Sequence, residues 1–558
     1  MAPNDPQPTS TSRRSRSLSK WFWTLCLLAI AALFISRQAI YETDHQIANL
    51  AGILWGLIAF LMGFIALWLS RSIAMKWKLA ISALPLIALG AFYQCFEYTG
   101  VTGEVLPNFR LRSFLRSKPP VRPQRPEIQE ANIPAELQSH RFSQFLGNDR
   151  SGIVDEPLFS MDWDRKLPTL LWRRPIGDGW SGFSVSQGIA LTLEQIEQDE
   201  VLTALSLLNG NALWSVKRPG RHYHPMGGLG PRSTPTIVNY KDQTLVVALT
   251  ATGHLLCVDL QTGSVRWEHQ LLEKSQTNQT DFELAVNWGR AASPLVHKDR
   301  VIVPLGGAQN KIAASLMACS LDDGSVLWTQ GKSQISYASP VLMNIHGVEQ
   351  IVSVNEGDVT GHAWEDGRVL WTSPWASNSN GAACASQPIL IDSDKILVGK
   401  GYSQGSKLFE VRFNQVGSET ENIENLQPGD PAWSTKDLWS INKILKTKFT
   451  SSIYHDGKLF ALSDGILECV DPKDGSRIWR GQRYGQGQTL MVNGTLLVSS
   501  EDGRIVAVDK QSGKPIAEMN VLEGITWNTC AVAGPFLLVR NGSEAVCLTA
   551  PALGETTK

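Results

Sequence analysis

Six side chains have the types needed to grip a flat anion: Arg232, Arg290 and Lys448 carry positive charge, and Trp288, Tyr337 and Trp527 offer ring faces. Each stands a few residues ahead of a short apolar run, so the six hold comparable places in a recurring pattern. Arginine pairs bidentately with carboxylates and aromatic rings stack on conjugated ligands, so the chemistry on offer is binding. The surrounding segments (SGFS at 181, PRSTP at 231, NWGRAASP at 287, SYASP at 336, ASQP at 385, KFTSS at 448, GQGQT at 485, TWNTC at 526) contain no carboxylate. A hard cation needs several anionic oxygens, so no metal site is expected there. Segment 217–232, KRPGRHYHPMGGLGPR, adds His222, Tyr223 and His224 to a Gly-rich approach. A His-x-His pair alone is weak support for a metal and reads first as a solvated loop. Asp162 and Asp164 read as turn residues. The chain has no adjacent cysteines, no CxxC, no G-x-S-x-G, no P-loop and no HExxH, and no catalytic residue is assigned.

The elements that position these residues are set by a repeat. CVDLQTGSVRW, CSLDDGSVLW, HAWEDGRVLW and CVDPKDGSRIW end at Trp267, Trp328, Trp371 and Trp479, each Trp four residues after Gly. LSLLNGNALW at Trp214 is weaker, Ala517 replaces Trp in VDKQSGKPIA, and only the end survives at Trp172 and Trp439. The spacing, roughly 40 to 70 residues, belongs to a propeller or array. Upstream of the turns lie β-branched runs such as TLVVALT, RVIVPLG and TLLVSS, and before those, Ser/Thr-Pro starts such as STPTIV, SPLV and SPVLM. Four strands per unit follow, the last two joined by a turn in which Asp bonds its own backbone and Gly supplies positive φ. Small residues on the third strand (Cys257, Cys319, Cys469, Ala507) and Trp on the fourth suit sheets that fan out from an axis, and the thiols read as small buried hydrophobes. The last segment, WNTCAVAGPFLLVRNGSEAVCLTA, supplies three strands and lacks a Trp strand, while PTLLWRRPI before unit one is a Trp strand without a sheet. Pairing them closes the ring and removes its open edge, giving eight four-stranded antiparallel blades.

The first hundred residues differ. After a basic tail over 1–20, apolar runs at Trp21 to Ser36, Gln46 to Ser70 and Leu79 to Phe96 are each near the ~20 residues needed to span a bilayer. Three transmembrane helices are expected over 21–98, then a Pro-rich linker over 99–140, the propeller over 141–550 and a tail over 551–558. Basic residues in the tail and at Arg71, Lys76 and Lys78 put the N-terminus in the cytoplasm and the propeller on the outer, periplasmic side of an inner membrane. With 558 residues, 43% hydrophobic and a net charge of −1, the chain has no electrostatic pull toward nucleic acid, and eight cysteines are too dilute for a disulfide scaffold.

Over roughly residues 141–550 the CVD-x-x-x-G-x-x-x-W turns and Ser/Thr-Pro strands resemble the PQQ-type repeat propellers, and QFLGNDRSG (144–152) resembles their BamB-like, PQQ-binding-like members. The resemblance implies one of two functions. One is a non-catalytic binding or assembly module of the bacterial envelope, with envelope proteins as partners and a small anionic ligand at the axis. The other is a quinoprotein dehydrogenase oxidising alcohols or sugars with pyrroloquinoline quinone and Ca²⁺. Such dehydrogenases show a vicinal Cys pair and Ca²⁺-binding acids, which this sequence lacks at the places that match, so the first reading is favoured, with no cofactor. The resemblance departs from BamB itself, which is lipid-anchored, in that Cys26 lies inside an apolar run and three helices replace the lipid.

Overall fold

The computed structural model describes residues 10–41, 44–112, 134–413 and 432–550, in two units divided at Pro120. The first unit holds three helices: α1 (Ser10–Tyr41), α2 (His45–Leu69) and α3 (Met75–Cys95). Asp44 caps α2 by accepting the backbone N–H groups of Gln46 and Ile47, and the chain leaves it at Ser70. Leu18–Tyr41, His45–Leu69 and Met75–Cys95 are each long and apolar enough to cross a membrane. α1 and α2 meet through the small residues Cys26, Ala29 and Ala59, the kind of contact that lets helices approach closely in lipid. Lys78 donates to the Trp68 carbonyl at 2.8 Å, placing a cation at the negative end of α2. The expected linker from residue 99 is folded at its start. Phe96–Val101 pairs with Pro107–Leu111 as a hairpin, because Gly100 and a Thr102-centred turn reverse the chain where a rigid spacer was expected. Most of the Pro-rich stretch, 113–133, and the tail 551–558 lie outside the described residues.

The second unit is an eight-bladed propeller. Blades one to seven cover 184–219, 236–270, 295–330, 341–375, 389–441, 453–483 and 488–520, each a four-stranded antiparallel meander. Blade eight takes three strands from 531–549, and Thr169–Pro175 pairs with Glu544–Thr549 as its outer strand. The ring closes as the two orphan segments require. In every blade the Trp position faces the third strand across a β-bulge, and the bulged residue is the one before it: Leu171, Leu213, Arg266, Leu327, Leu370, Leu438, Ile478 and Ile516. A bulge on an outermost strand twists its edge away from further pairing.

Where the sheets fan apart, the tryptophans of the outer strands dock on the next blade. A Cβ on Gly263 would lie 2.6 Å from the Trp214 ring, and Gly210, Gly324, Gly367 and Gly513 lie as close to Trp172, Trp267, Trp328 and Trp479. Glycine is thus needed twice in that turn, for its φ of +69° and for the bare surface on which the neighbouring indole lies. Trp172, Trp214 and Trp267 also donate Nε1–H to the carbonyls of Leu207, Leu260 and Leu321 at 2.8 to 2.9 Å. Except for Leu408 opposite Trp439, the partners across the bulge are small: Cys257 opposite Trp267, Ala318 opposite Trp328, Gly361 opposite Trp371. Cys319, one residue nearer its turn than Cys257 is, pairs with Val326 and leaves Ala318 opposite Trp328. All eight cysteines are free thiols.

Near the axis the Ser/Thr-Pro starts have a second use. Gly182 N–H donates to Thr234 Oγ1, Thr234 N–H to Ser293 Oγ and Ser293 N–H to Ser339 Oγ, so each hydroxyl receives a backbone N–H of the preceding blade. A strap over 142–159 crosses one end of this hub. Phe142 pairs with Val185 of blade one, Ser143 accepts from Ile237 of blade two, and Ile153–Val154 runs parallel to the inner strand of blade seven. Arg150 reaches inward and donates to the carbonyls of Ser293, Pro294 and Pro340 in blades three and four, while its own carbonyl accepts from Gln387 of blade five.

Candidate functional site: the aromatic mouth of the hub

The strap fixes one end of the hub, because Asn493, which holds Glu156 and Phe159, lies in the turn after an innermost strand. The loops leading into the innermost strands open at the other end. Trp180, Tyr337, Phe449 and Trp527 each stand four residues ahead of the first strand of blades one, four, six and eight, and Arg232 holds that place in blade two. Because the strands converge there, side chains distant in sequence meet. Ring centroids are 4.7 Å apart for Trp180 and Trp527, 5.0 Å for Trp527 and Phe449, 5.9 Å for Phe449 and Trp288, and 5.0 Å for Trp288 and Tyr337. Blades six and three are not neighbours, so the Phe449–Trp288 contact bridges the mouth instead of following its rim.

Every ring but that of Phe449 is held by a hydrogen bond. Trp527 Nε1–H donates to Glu501 at 2.8 Å, Trp180 Nε1–H to the Gly227 carbonyl at 2.7 Å, and Trp288 Nε1–H to His224 Nδ1 at 3.2 Å. The Tyr337 hydroxyl donates to the Ser379 carbonyl at 2.6 Å and accepts from the Trp288 N–H, and burial raises its pKa. Fixed rings make a preformed surface with little entropy left to lose on binding.

The three cations separate. Arg232 stays beside the rings but folds onto its own loop, donating to the carbonyls of Gly227 and Gly230 at 2.6 and 2.9 Å, and desolvation lowers its pKa to about 10. Lys448 turns away, although Phe449 beside it faces the mouth. Its ammonium lies 2.6 Å from Asp464, itself 3.6 Å from Lys446, inside the blade. Arg290 is buried between blades two and three, its guanidinium 4.2 Å over Phe282 and Nη1 bonded to the carbonyls of Pro304 and Leu305. The structure therefore gathers Trp288, Tyr337, Trp527 and Arg232 and takes Arg290 and Lys448 out of the mouth: both lie in loops five residues ahead of a first strand, one place earlier than the position that Tyr337, Phe449 and Trp527 share. Trp180 and Phe449 were missed in the sequence, although their common offset from the first strand is a signal that aligning the repeats by their inner strands reveals.

Carboxylates enter from other strands. Glu200 accepts the N–H groups of Ala251 and Thr252, Glu468 that of Leu445, Glu501 that of Gln486 and Glu356 that of Ser379. They fix the loops that build the mouth. Among the described residues no three His, Cys, Asp or Glu side chains come together as a metal site. Segment 217–232 folds over the rings as a small hairpin, Tyr223–His224 paired with Gly228–Leu229. His222 is not solvated as the sequence suggested. It is 1% exposed, and its Nδ1 lies 2.7 Å from Glu283 on the short helix Gln279–Ala285.

The propeller fold recurs among solved structures. The quinohemoprotein alcohol dehydrogenase ADHIIG from Pseudomonas putida HK5 is 11% identical, with 77% of this chain and 84% of that one covered and a TM-score of 0.50. BamB from Moraxella catarrhalis is 13% identical, with 69% and 100% covered and a TM-score of 0.45, and the computationally designed Ika8 protein is 12% identical, with 69% and 100% covered and a TM-score of 0.46. At such identities the likeness is one of fold. No curated protein matches the sequence. The sequence profile described as outer membrane protein assembly factor BamB matches residues 161–303, 198–481 and 463–547. Between them these matches run through nearly all of the propeller, and the chain belongs to that BamB-like family of PQQ-repeat propellers.

Proposed function

We propose that this chain is a multi-pass inner-membrane protein whose propeller, on the periplasmic side, acts as a non-catalytic binding or assembly module for envelope proteins. The observation that carries this reading is the aromatic bridge. Rings of blades three, six and eight are in contact over the hub, Trp288 and Trp527 pinned by hydrogen bonds with Phe449 packed between them, so the place where a planar cofactor would stack is filled by the chain's own side chains. A quinone held by Ca²⁺ fits these residues poorly on a second count. The acidic groups nearest the mouth already accept backbone N–H groups, and exchanging those bonds for a cation would orphan buried donors at about 1–3 kcal/mol each. Recognition then falls to the loops, which a rigid scaffold presents to partners.

The test uses photo-crosslinking side chains at Tyr223 and Met226, both exposed on the hairpin beside the mouth, in the full-length chain in cells. Recurrent adducts with defined envelope proteins are expected, and none across growth conditions would refute the proposal. Adding pyrroloquinoline quinone with Ca²⁺ to the purified chain decides the alternative: a bound chromophore with alcohol- or sugar-dependent dye reduction would replace the module by a dehydrogenase.

A further inference from the structure

The propeller buries three arginines almost completely, and comparing them isolates one. Arg150 spends Nε on Gln144 and both Nη atoms on carbonyls. Arg540 likewise engages Nε with the Asn541 carbonyl, Nη1 with Thr192 and Leu193, and Nη2 with Gly177 and Gly179. Arg290, 2% exposed, engages Nη1 alone; Nε and Nη2 are buried without a partner. Desolvation lowers its pKa to about 9, with no carboxylate offsetting it, whereas Glu194 and Asp178 act in that sense on Arg540.

A second orphan lies beside it. His222 is fixed through Nδ1 by Glu283, and its Nε2 is buried without a partner. Burial alone would raise the Glu283 carboxyl, but the His222 and Gln279 hydrogen bonds outweigh it and hold the group below the ordinary range. The two orphans flank one helical turn, since Phe282 lies under the Arg290 guanidinium and Glu283, the next residue, holds His222. Gly289, adjacent to Arg290, faces the imidazole so closely that a Cβ there would stand 3.2 Å from His222 Cγ, and a Cβ on Gly253 would stand 3.2 Å from Arg290 Nε. Both glycines have positive φ, +67° and +101°.

We infer that His222 and the Nε/Nη2 edge of Arg290 form a binding site for a small oxyanion, a carboxylate, sulfate or phosphate, in the glycine cradle between blades two and three. A guanidinium edge presents two parallel N–H groups at the spacing of two oxygens on one centre, and His222, whose Nδ1–H goes to the Glu283 carboxylate, adds a third donor at Nε2 as the doubly protonated imidazolium. A buried cation without counter-charge is costly, and an anion removes that cost. The site refines the expectation of an anionic ligand by moving it from the axis to the seam behind the hairpin. It rests on its own observations, so a failure of the cross-linking test leaves it standing.

The experiment follows thermal unfolding by intrinsic fluorescence for the full-length chain in detergent, titrated with sodium sulfate and with sodium acetate against sodium chloride at matched ionic strength. A saturable rise in the midpoint with sulfate or acetate, absent with chloride, is expected. His222→Leu and Arg290→Met should each weaken the apparent affinity about tenfold or more, as loss of a charge-assisted hydrogen bond does. If Arg290→Met fails to fold, His222→Leu alone decides. No saturable rise, or one that His222→Leu leaves unchanged, overturns the inference.

Discussion

Replacing Arg150 by methionine tests whether the strap is structural, and the structure sets the size of the effect. Methionine keeps much of the aliphatic bulk and removes every donor. The carbonyls of Ser293, Pro294 and Pro340 and the Gln144 side chain, all held by Arg150, then lose that partner in the hub. Pro294 keeps the Thr236 hydroxyl at 2.7 Å, but each buried acceptor left alone costs about 1–3 kcal/mol, and relief from burying a charge whose pKa desolvation lowers to about 9 returns part of it. A net loss of about 3–5 kcal/mol follows, the range found when one partner of a buried charged network is removed. Unfolding entropy of ~2.1 cal/mol/K per residue over ~410 residues makes that about 4–6 °C in the midpoint, if the propeller unfolds as one unit. Scanning calorimetry of the full-length variant reads the shift, and limited proteolysis near Asp149 and Arg150 should show the strap loosening. Arg290→Met, which removes a guanidinium with only Nη1 engaged, should cost less than half as much. A shift under about 1 °C for Arg150→Met, or equal shifts for both variants, would refute the reasoning.

Three further outcomes are expected. Burial, with the charges of Arg232 and His222, lowers the pKa of His224, whose Nδ1 accepts from Trp288 and from Gly227. Below about pH 6.5 the unfolded chain therefore binds the proton first, so stability should fall as pH drops from there through the lowered value; a His224→Asn variant should flatten that limb of a midpoint-versus-pH profile. Trp267 donates to the Leu321 carbonyl whereas Trp328 Nε1 has no partner, so denaturant melts should show Trp267→Phe costing about 1 kcal/mol more than Trp328→Phe. Burial pushes Cys257, Cys319 and Cys530 up to about 12 and Cys469 to about 11, so mass spectrometry after maleimide treatment should find these thiols unlabelled until the chain is unfolded.

The eight-bladed ring, its closure by Thr169–Pro175 and the three long apolar helices were all legible in the sequence, because each is set by local pattern. An apolar run of given length, an Asp-x-x-x-Gly turn and a Trp four residues beyond it state their structural meaning within a dozen residues. What those patterns do to one another was not legible. That the turn glycine of one blade is the seat for the indole of the blade before depends on how neighbouring sheets lie. The hydroxyls of the Ser/Thr-Pro starts, visible as strand signals, serve as acceptors across the seams.

The site divides in the same way. Residue type alone put rings and cations, and no carboxylate, into the segments where the inner strands begin. Only the tertiary structure decided that Lys448 pairs with Asp464 while Phe449 enters the mouth, that Arg290 lies over Phe282 instead of on the axis, and that His222 is bound to Glu283. Lys448 and Phe449 are adjacent in the loop ahead of an inner strand, yet one enters the blade and the other the mouth, so a shift of one residue there exchanges hub for seam. Local sequence specifies the strand, but which face looks inward is settled when the sheets close around the axis.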